Sequence, residues 1–329
     1  MPQTFSASDA VELAVVERDG FIESRHTGSA IVLAPDGSVH ASFGAPDALI
    51  LPRSALKPLQ AVGLLSAGAR LAGVHLALAS ASHSGTNPHV AAVSEMLAGA
   101  GLTEDALACP AAWPTDAATR REMIRDDRPD ARVCHNCSGK HAGMLAACVQ
   151  NGWPTEGYTD LDHPLQVHLR EVIERLTGEK VAISVADGCS APAHALSLAA
   201  LARGVHRIGT ASERSPFALH RHAAAVRLAA LAEPWAIAGP GASDTVLLER
   251  AGVFAKLGAE GVQVAAAPDG TVAAVKVLDG GGRAAPVVAL RLLVAAGAIS
   301  PAAYGDAASE LDLEVRGGDA VVGRVRATV

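Results

Sequence analysis

Apolar and polar residues alternate at both ends of the chain, whereas apolar residues recur at helical spacing through its middle. Val11-Glu-Leu-Ala-Val-Val-Glu17 predicts a strand and Ser29-Ala-Ile-Val-Leu33 another. Pro35-Asp-Gly37 then leads into Ser38-Val-His-Ala-Ser-Phe43, which predicts a hairpin closed by a glycine turn. From Pro52 the period changes: Leu56, Leu59, Val62, Gly63 and Leu64 form a helical stripe that tolerates Pro58 only where a helix is beginning. Further helices are expected over His89 to Leu97, with Thr86 or Asn87 as N-cap, and around Leu165 to Leu176, His194 to Ala202 and Phe217 to Leu231. Ser138-Gly-Lys140 reads as a turn entering a helix, Pro110 to Asp130 as a surface excursion, and Trp235 to Asp244 as a Gly/Pro loop.

The last third returns to strand. Lys256 to Ala267, the turn Pro268-Asp-Gly270 and Thr271 to Leu278 predict a hairpin, followed by a helix over Pro286 to Ala296. Length alone would allow about two units. Neither end looks self-sufficient, so the two are expected to pair into one antiparallel sheet with helices against it. The expectation is an α+β fold in a single domain over 1–329, its sheet from residues 10–45 and 250–329 and its helical region from 50–235.

Composition narrows the function classes. Half of the residues are hydrophobic but only 3% are aromatic, so the core must be aliphatic, with closely packed helices. A net charge of -7 without a basic run argues against nucleic acid as a partner. The first residues lack a basic segment followed by an apolar core, and His194 and Arg203 break the alanine-rich run near 191–202. A soluble, cytoplasmic protein with no membrane partner is expected. Five cysteines argue for reduced thiols, some of them metal-bound, over a disulfide framework.

Three stretches carry candidate chemistry. Ser54 and Lys57 lie three residues apart at a helix start, where one face would hold both side chains. A lysine with a pKa lowered by burial can take a serine proton and begin acyl transfer; most such pairs are merely solvated helix positions. Ser82-His-Ser-Gly-Thr86 holds more hydroxyls than one helix cap requires. Cys134 and Cys137 have the spacing of zinc sites and redox dithiols, yet only Cys189 stands apart as a further ligand, and buried inert thiols have the same pattern. A P-loop is absent around Lys140.

Together, Arg53-Ser-x-x-Lys57, Ala81-Ser-His-Ser-Gly85, Cys137-Ser-Gly-Lys-His-Ala-Gly143, Asp187-Gly-Cys-Ser-Ala-Pro192 and Lys256-x-Gly-Ala-Glu-Gly261 resemble the motifs of class 3, rhizobial-type L-asparaginases. The resemblance runs from about residue 12 to about residue 298. It implies a fold related to serine β-lactamases and glutaminases, a homodimer, and hydrolysis of L-asparagine to L-aspartate and ammonia. Ser54 with Lys57, and Ser82 or Ser84 with Lys256, match its two Ser-Lys pairs; which serine attacks stays open. Cys137, Lys140 and Cys189 match its zinc ligands, with zinc assisting substrate binding. His83, Ser84, Asp187 and His141 match positions in or around the substrate site. Arg53 is a candidate for the substrate α-carboxylate through bidentate hydrogen bonds, or else a surface ion pair. Alternatives are a glutaminase or broader amidase, a β-lactamase or penicillin-binding activity, and a zinc or thiol sensor centred on Cys134, Cys137 and Cys189. The β-lactamase reading lacks Ser-Asp-Asn.

Overall fold

Residues 3–329 are described in a computed structural model. Strands β1 (Val11–Arg18), β2 (Phe21–Leu33) and β3 (Val39–Phe43) form an N-terminal meander, and β4 (Leu49–Ile50) leads out of it. Helices α1 (Lys57–Ser66), α2 (Gly73–Ala79), α3 (Asn87–Gly99), α4 (Ala117–Arg125), α5 (Ser138–Asn151) and α6 (Pro164–Thr177) follow. Strands β5 (Ile183–Ala186) and β6 (Pro192–Ser197) precede α7 (Leu198–Gly209), α8 (Ala218–Ala232), α9 (Pro234–Ile237) and α10 (Ser243–Arg250). The chain closes with β7 (Phe254–Gly258), β8 (Val262–Ala266), β9 (Val272–Val277), α11 (Ala285–Ala295), α12 (Pro301–Glu310), β10 (Glu314–Gly317) and β11 (Ala320–Ala327).

Both ends of the chain enter one antiparallel sheet in the order β10-β11-β1-β2-β9-β8-β7, with β3 attached to β2. This is the α+β arrangement expected from the sequence. Its central strands are buried on both faces. Ile31, Leu33, Val264, Val272 and Ala274 join one apolar cluster, with α7 and α8, while Ala30, Val32, Ala265, Ala273 and Val275 join the other, with α11. Two buried faces require apolar residues at successive positions, so the end of β2 (residues 30–33), and β8 and β9 apart from Gln263 and Lys276, read as apolar runs. Among the described residues, no helix is long and apolar enough to cross a membrane.

Several expected elements differ, among them the loop expected over Trp235 to Asp244, whose two ends lie in α9 and α10. Residues 192–197 form β6, and Ser197 caps α7 by accepting from Ala200 N, so the helix expected from His194 begins only at Leu198. All six β6 residues are buried, which hides the period that separates a strand from a helix. The single strand expected over Lys256 to Ala267 is two, β7 and β8, because Glu260 (φ +58°) and Gly261 (φ +69°) turn the chain between them. Within the surface excursion, residues 117–125 form α4, capped by Asp116.

A small sheet in the order β4-β6-β5 positions the site. It holds the end of β4, from which the Ser54 turn departs, beside the β5–β6 loop that carries Asp187 and Cys189.

Candidate active site

Three segments meet around a cleft of about 530 Å³: the turn bearing Ser54, the loop after α2 bearing Ser82 and Ser84, and edge strand β7 bearing Lys256. Arg53–Leu56 is a 3₁₀ turn, and Lys57 starts α1. Ser54 and Lys57, three residues apart, fall on one side of such a turn, but the lysine amine does not bond the Ser54 hydroxyl. Instead, Lys57 reaches across to the next loop and donates to Ala81 O at 2.6 Å and to Ser82 Oγ at 2.9 Å. Ser54 lines the same cleft. Lys57 is fully buried, and desolvation lowers its pKa; nearby Lys256 and Lys140 push the same way, against the Cys137 thiolate. The structure therefore sets a buried amine of lowered pKa against a serine hydroxyl.

The Ser82 loop is held rigidly. Ser82 N donates to Ile237 O at 2.9 Å and His83 N to Asn136 O at 3.2 Å. Gly239, with φ +113°, passes so close that a Cβ there would lie 2.0 Å from Ser84 Oγ. That Ser84 oxygen is buried without a hydrogen-bond partner. On the third side, buried Lys256 donates to Asp244 Oδ2 and to Leu257 O, each at 2.9 Å. Asp244 Oδ2 also accepts from Leu257 N at 2.9 Å, and its Oδ1 accepts from Gln263 Nε2 at 3.2 Å. Lys256 thus pairs with Asp244, and the serine expected beside it, Ser82, pairs with Lys57.

Behind the cleft, Cys137, Lys140 and Cys189 converge, all buried, with Lys140 Nζ 3.1 Å from Cys189 Sγ. Cys189 donates to Cys137, which holds the Cys137 thiol well below its usual range, while Cys189 is pushed up. Burial works against the Lys140 charge, but the neighbouring sulfurs of Cys189 and Cys137 outweigh it and raise its pKa. The Asn136 side-chain amide, on the cleft wall, lies 3.2 Å from Cys137 Sγ. Among the described residues no group of three or more His, Cys, Asp or Glu side chains is arranged to hold a metal. Two thiols and an amine are the donors present at this point. Cys134 is buried apart from them, its pKa raised by burial.

Of the remaining candidates only Ser84 lines the cleft. Arg53, strained at φ +51°, donates through Nε (2.9 Å) and Nη2 (2.5 Å) to Asp187 Oδ1, so these two candidates engage each other. His83 is buried: its Nδ1 accepts from Gly85 N at 3.2 Å, leaving Nε2–H to donate to Ser138 Oγ at 2.9 Å. His141 lies against Tyr158, whose hydroxyl accepts from Ala108 N and donates to His141 Nδ1 at 2.6 Å. Burial holds both imidazoles well below their usual range, in the neutral form. Both ring nitrogens of His83 are engaged, whereas His141 Nε2 is buried without a hydrogen-bond partner. The polar cleft residues missed from sequence are Thr115, Asp116, Asn136, Ser243 and Asp244. Two of them left a signal: Asp244 is an acidic residue in the first turn of a helix after Gly239-Pro-Gly241, and Asp116 is an N-cap residue.

The family model for L-asparaginase II matches residues 14–327. The chain belongs to the L-asparaginase II family. The match covers both the sheet and the helical middle. No curated protein matches the chain. Among solved structures, Mglu in its glutamate form is 14% identical, with a TM-score of 0.45, covering 82% of this chain and 61% of that one. Mglu in its tris and glutamate form is also 14% identical, with a TM-score of 0.47, covering 87% and 63%. The chain thus spans about three fifths of the Mglu chains. A likeness this loose does not bear on the substrate.

Proposed function

We propose that this family member hydrolyses the side-chain amide of L-asparagine by Ser-Lys acyl transfer. The observation that carries the reading is the 2.9 Å contact between the buried Lys57 amine and Ser82 Oγ, in a cleft that Ser54 shares. Lys57 takes the proton from Ser82, which either attacks the amide carbon itself or relays a proton from an attacking Ser54. The Lys57 ammonium returns that proton to the departing nitrogen, releasing ammonia and leaving an acyl ester. Water, deprotonated by Lys57, then cleaves the ester and restores the serine. The Ala55 N–H is committed to Pro52 O at 3.0 Å, so the oxyanion donor offered by the turn is the Ser54 N–H. Lys256, held by Asp244 and Leu257 O, keeps one N–H for the substrate α-carboxylate. This replaces Arg53, which Asp187 engages.

Zinc belongs to the proposal. The two thiols and the Lys140 amine form a donor set that fits it once Lys140 loses its proton, which the cation itself would favour. When bound, zinc would supply fixed positive charge behind the Asn136 wall. The chain's own residues carry every proton transfer.

The test is ammonia release from L-asparagine and, separately, L-glutamine by purified protein. Rapid release from asparagine alone supports the proposal, and equal release from glutamine makes the enzyme a broader amidase. Silence with both returns the thiol-sensor reading to the foreground. Trapping the acyl-enzyme and locating its mass on the Ser54 or Ser82 peptide identifies the attacking serine.

A further inference from the structure

The charges lining the cleft do not cancel. Lys256 is matched by Asp244, whose two oxygens are both engaged. The remaining charged side chain of the lining is Asp116, at the start of α4. Its Oδ2 accepts from Thr119 N and from Thr119 Oγ1, each at 2.7 Å, and its own N–H donates to Ser84 O at 3.0 Å. None of the ion pairs among the described residues involves Asp116. Oδ2 is therefore clamped by Thr119, the Ala118 N–H also faces the carboxylate, and Oδ1 takes no side-chain partner. The Ser84 tie fixes this carboxylate to the loop that carries Ser82. Hydrogen bonds from Thr119 hold its pKa below the usual range, which keeps it ionised at neutral pH.

We infer that Asp116 determines specificity by binding the α-ammonium of the substrate through Oδ1, so that the cleft selects amides of free α-amino acids. This rests on the amidohydrolase reading above. It assigns a partner to each charge of a zwitterion, the carboxylate at Lys256 and the ammonium at Asp116. An N-cap alone would need only Oδ2. Amides lacking the amino group, or carrying it acylated, leave the Asp116 charge unmatched and bind poorly.

The experiment compares L-asparagine with succinamate, the same amide without the amino group, on wild type, Asp116→Asn and Asp116→Ser. Asn and Ser cap helices about as well as Asp, so both variants keep α4 while losing the charge. The expected result is a wild-type preference for asparagine that falls about tenfold in kcat/KM ratio in both variants, mainly through KM; tenfold is the low end for a hydrogen bond to a charged group, as suits a half-exposed site. An active wild type with an unaltered ratio in the variants overturns this inference alone. A wild type that releases no ammonia from asparagine sinks the amidohydrolase reading and this inference with it.

Discussion

Gly258 closes edge strand β7 against the turn that presents Ser54. A Cβ at Gly258 would lie 2.3 Å from Pro52 O, 3.0 Å from Val262 Cβ and 3.3 Å from Ala55 Cβ. Contacts below 3.0 Å are essentially unknown for real Cβ atoms, so Gly258→Ala must part the strand from the turn by at least 0.7 Å. Pro52 O is backbone and cannot rotate aside. Overpacking of this kind costs about 1–3 kcal/mol. The same shift moves Ser54 relative to Lys256 and Ser82, and a misplacement of about 1 Å at a reacting centre costs about 10²-fold in rate. The assay pairs urea unfolding with kcat on saturating asparagine, at a temperature where the variant is fully folded. Gly305→Ala is the control: Gly305 sits in exposed α12 with nothing within 4 Å of its added Cβ, and alanine there should stabilise by about 0.5–1 kcal/mol and leave turnover alone. A folded Gly258→Ala protein with wild-type kcat would refute the claim that β7 and the Ser54 turn build one site.

Lys57→Met should lower kcat by about 10²–10⁴-fold, the range for a lost general base. The Lys57 pKa is lowered in the folded protein, so below its ordinary value of 10.5 the unfolded chain binds a proton that the folded chain resists. Wild-type stability relative to Lys57→Met should therefore fall as pH drops from 10.5, which denaturant titrations at pH 10.5 and pH 7 would show; a pH-independent difference contradicts it. Asp244→Asn leaves the Lys256 charge buried without its partner and should destabilise by about 3–5 kcal/mol. The double variant Asp244→Asn/Lys256→Met should recover stability in thermal melts while staying inactive, and failure to recover would mean that Asp244 matters chiefly through Leu257 N and Gln263. Chelation should raise KM for asparagine without abolishing turnover, and Cys189→Ser should remove that sensitivity; chelator sensitivity persisting in the variant would place the metal elsewhere. Burial pushes Cys109 up to about 12 and Cys148 to about 11, so iodoacetamide at pH 8 should leave both unmodified in peptide maps of the folded protein.

Local chemistry was legible in the chain itself. Thr86 as the cap of α3, Pro268-Asp-Gly270 as a hairpin turn, the pairing of the two ends into one sheet, and the Ser54, Ser82 and Lys256 segments all follow from patterns spanning a few residues, or from ordered motifs read together. These features depend on backbone propensity and periodicity, which neighbours in sequence determine. Who touches whom was not legible. The choice of Ser82 over Ser54 by Lys57 depends on the long lysine side chain reaching a loop serine 25 residues away. Arg53 meets Asp187 only because β4 and the β5–β6 loop share a small sheet, and β6 itself read as helix because every residue in it is buried. The Lys256–Asp244 pair and the Asp116 oxygen without a side-chain partner depend on the packing of α10 against β7 and on the tie of α4 to the Ser84 loop. Contacts of this kind are fixed by the closure of distant segments around a common core, so the sequence by itself determined which groups exist and the tertiary structure decided which of them face the cleft with a valence to spare.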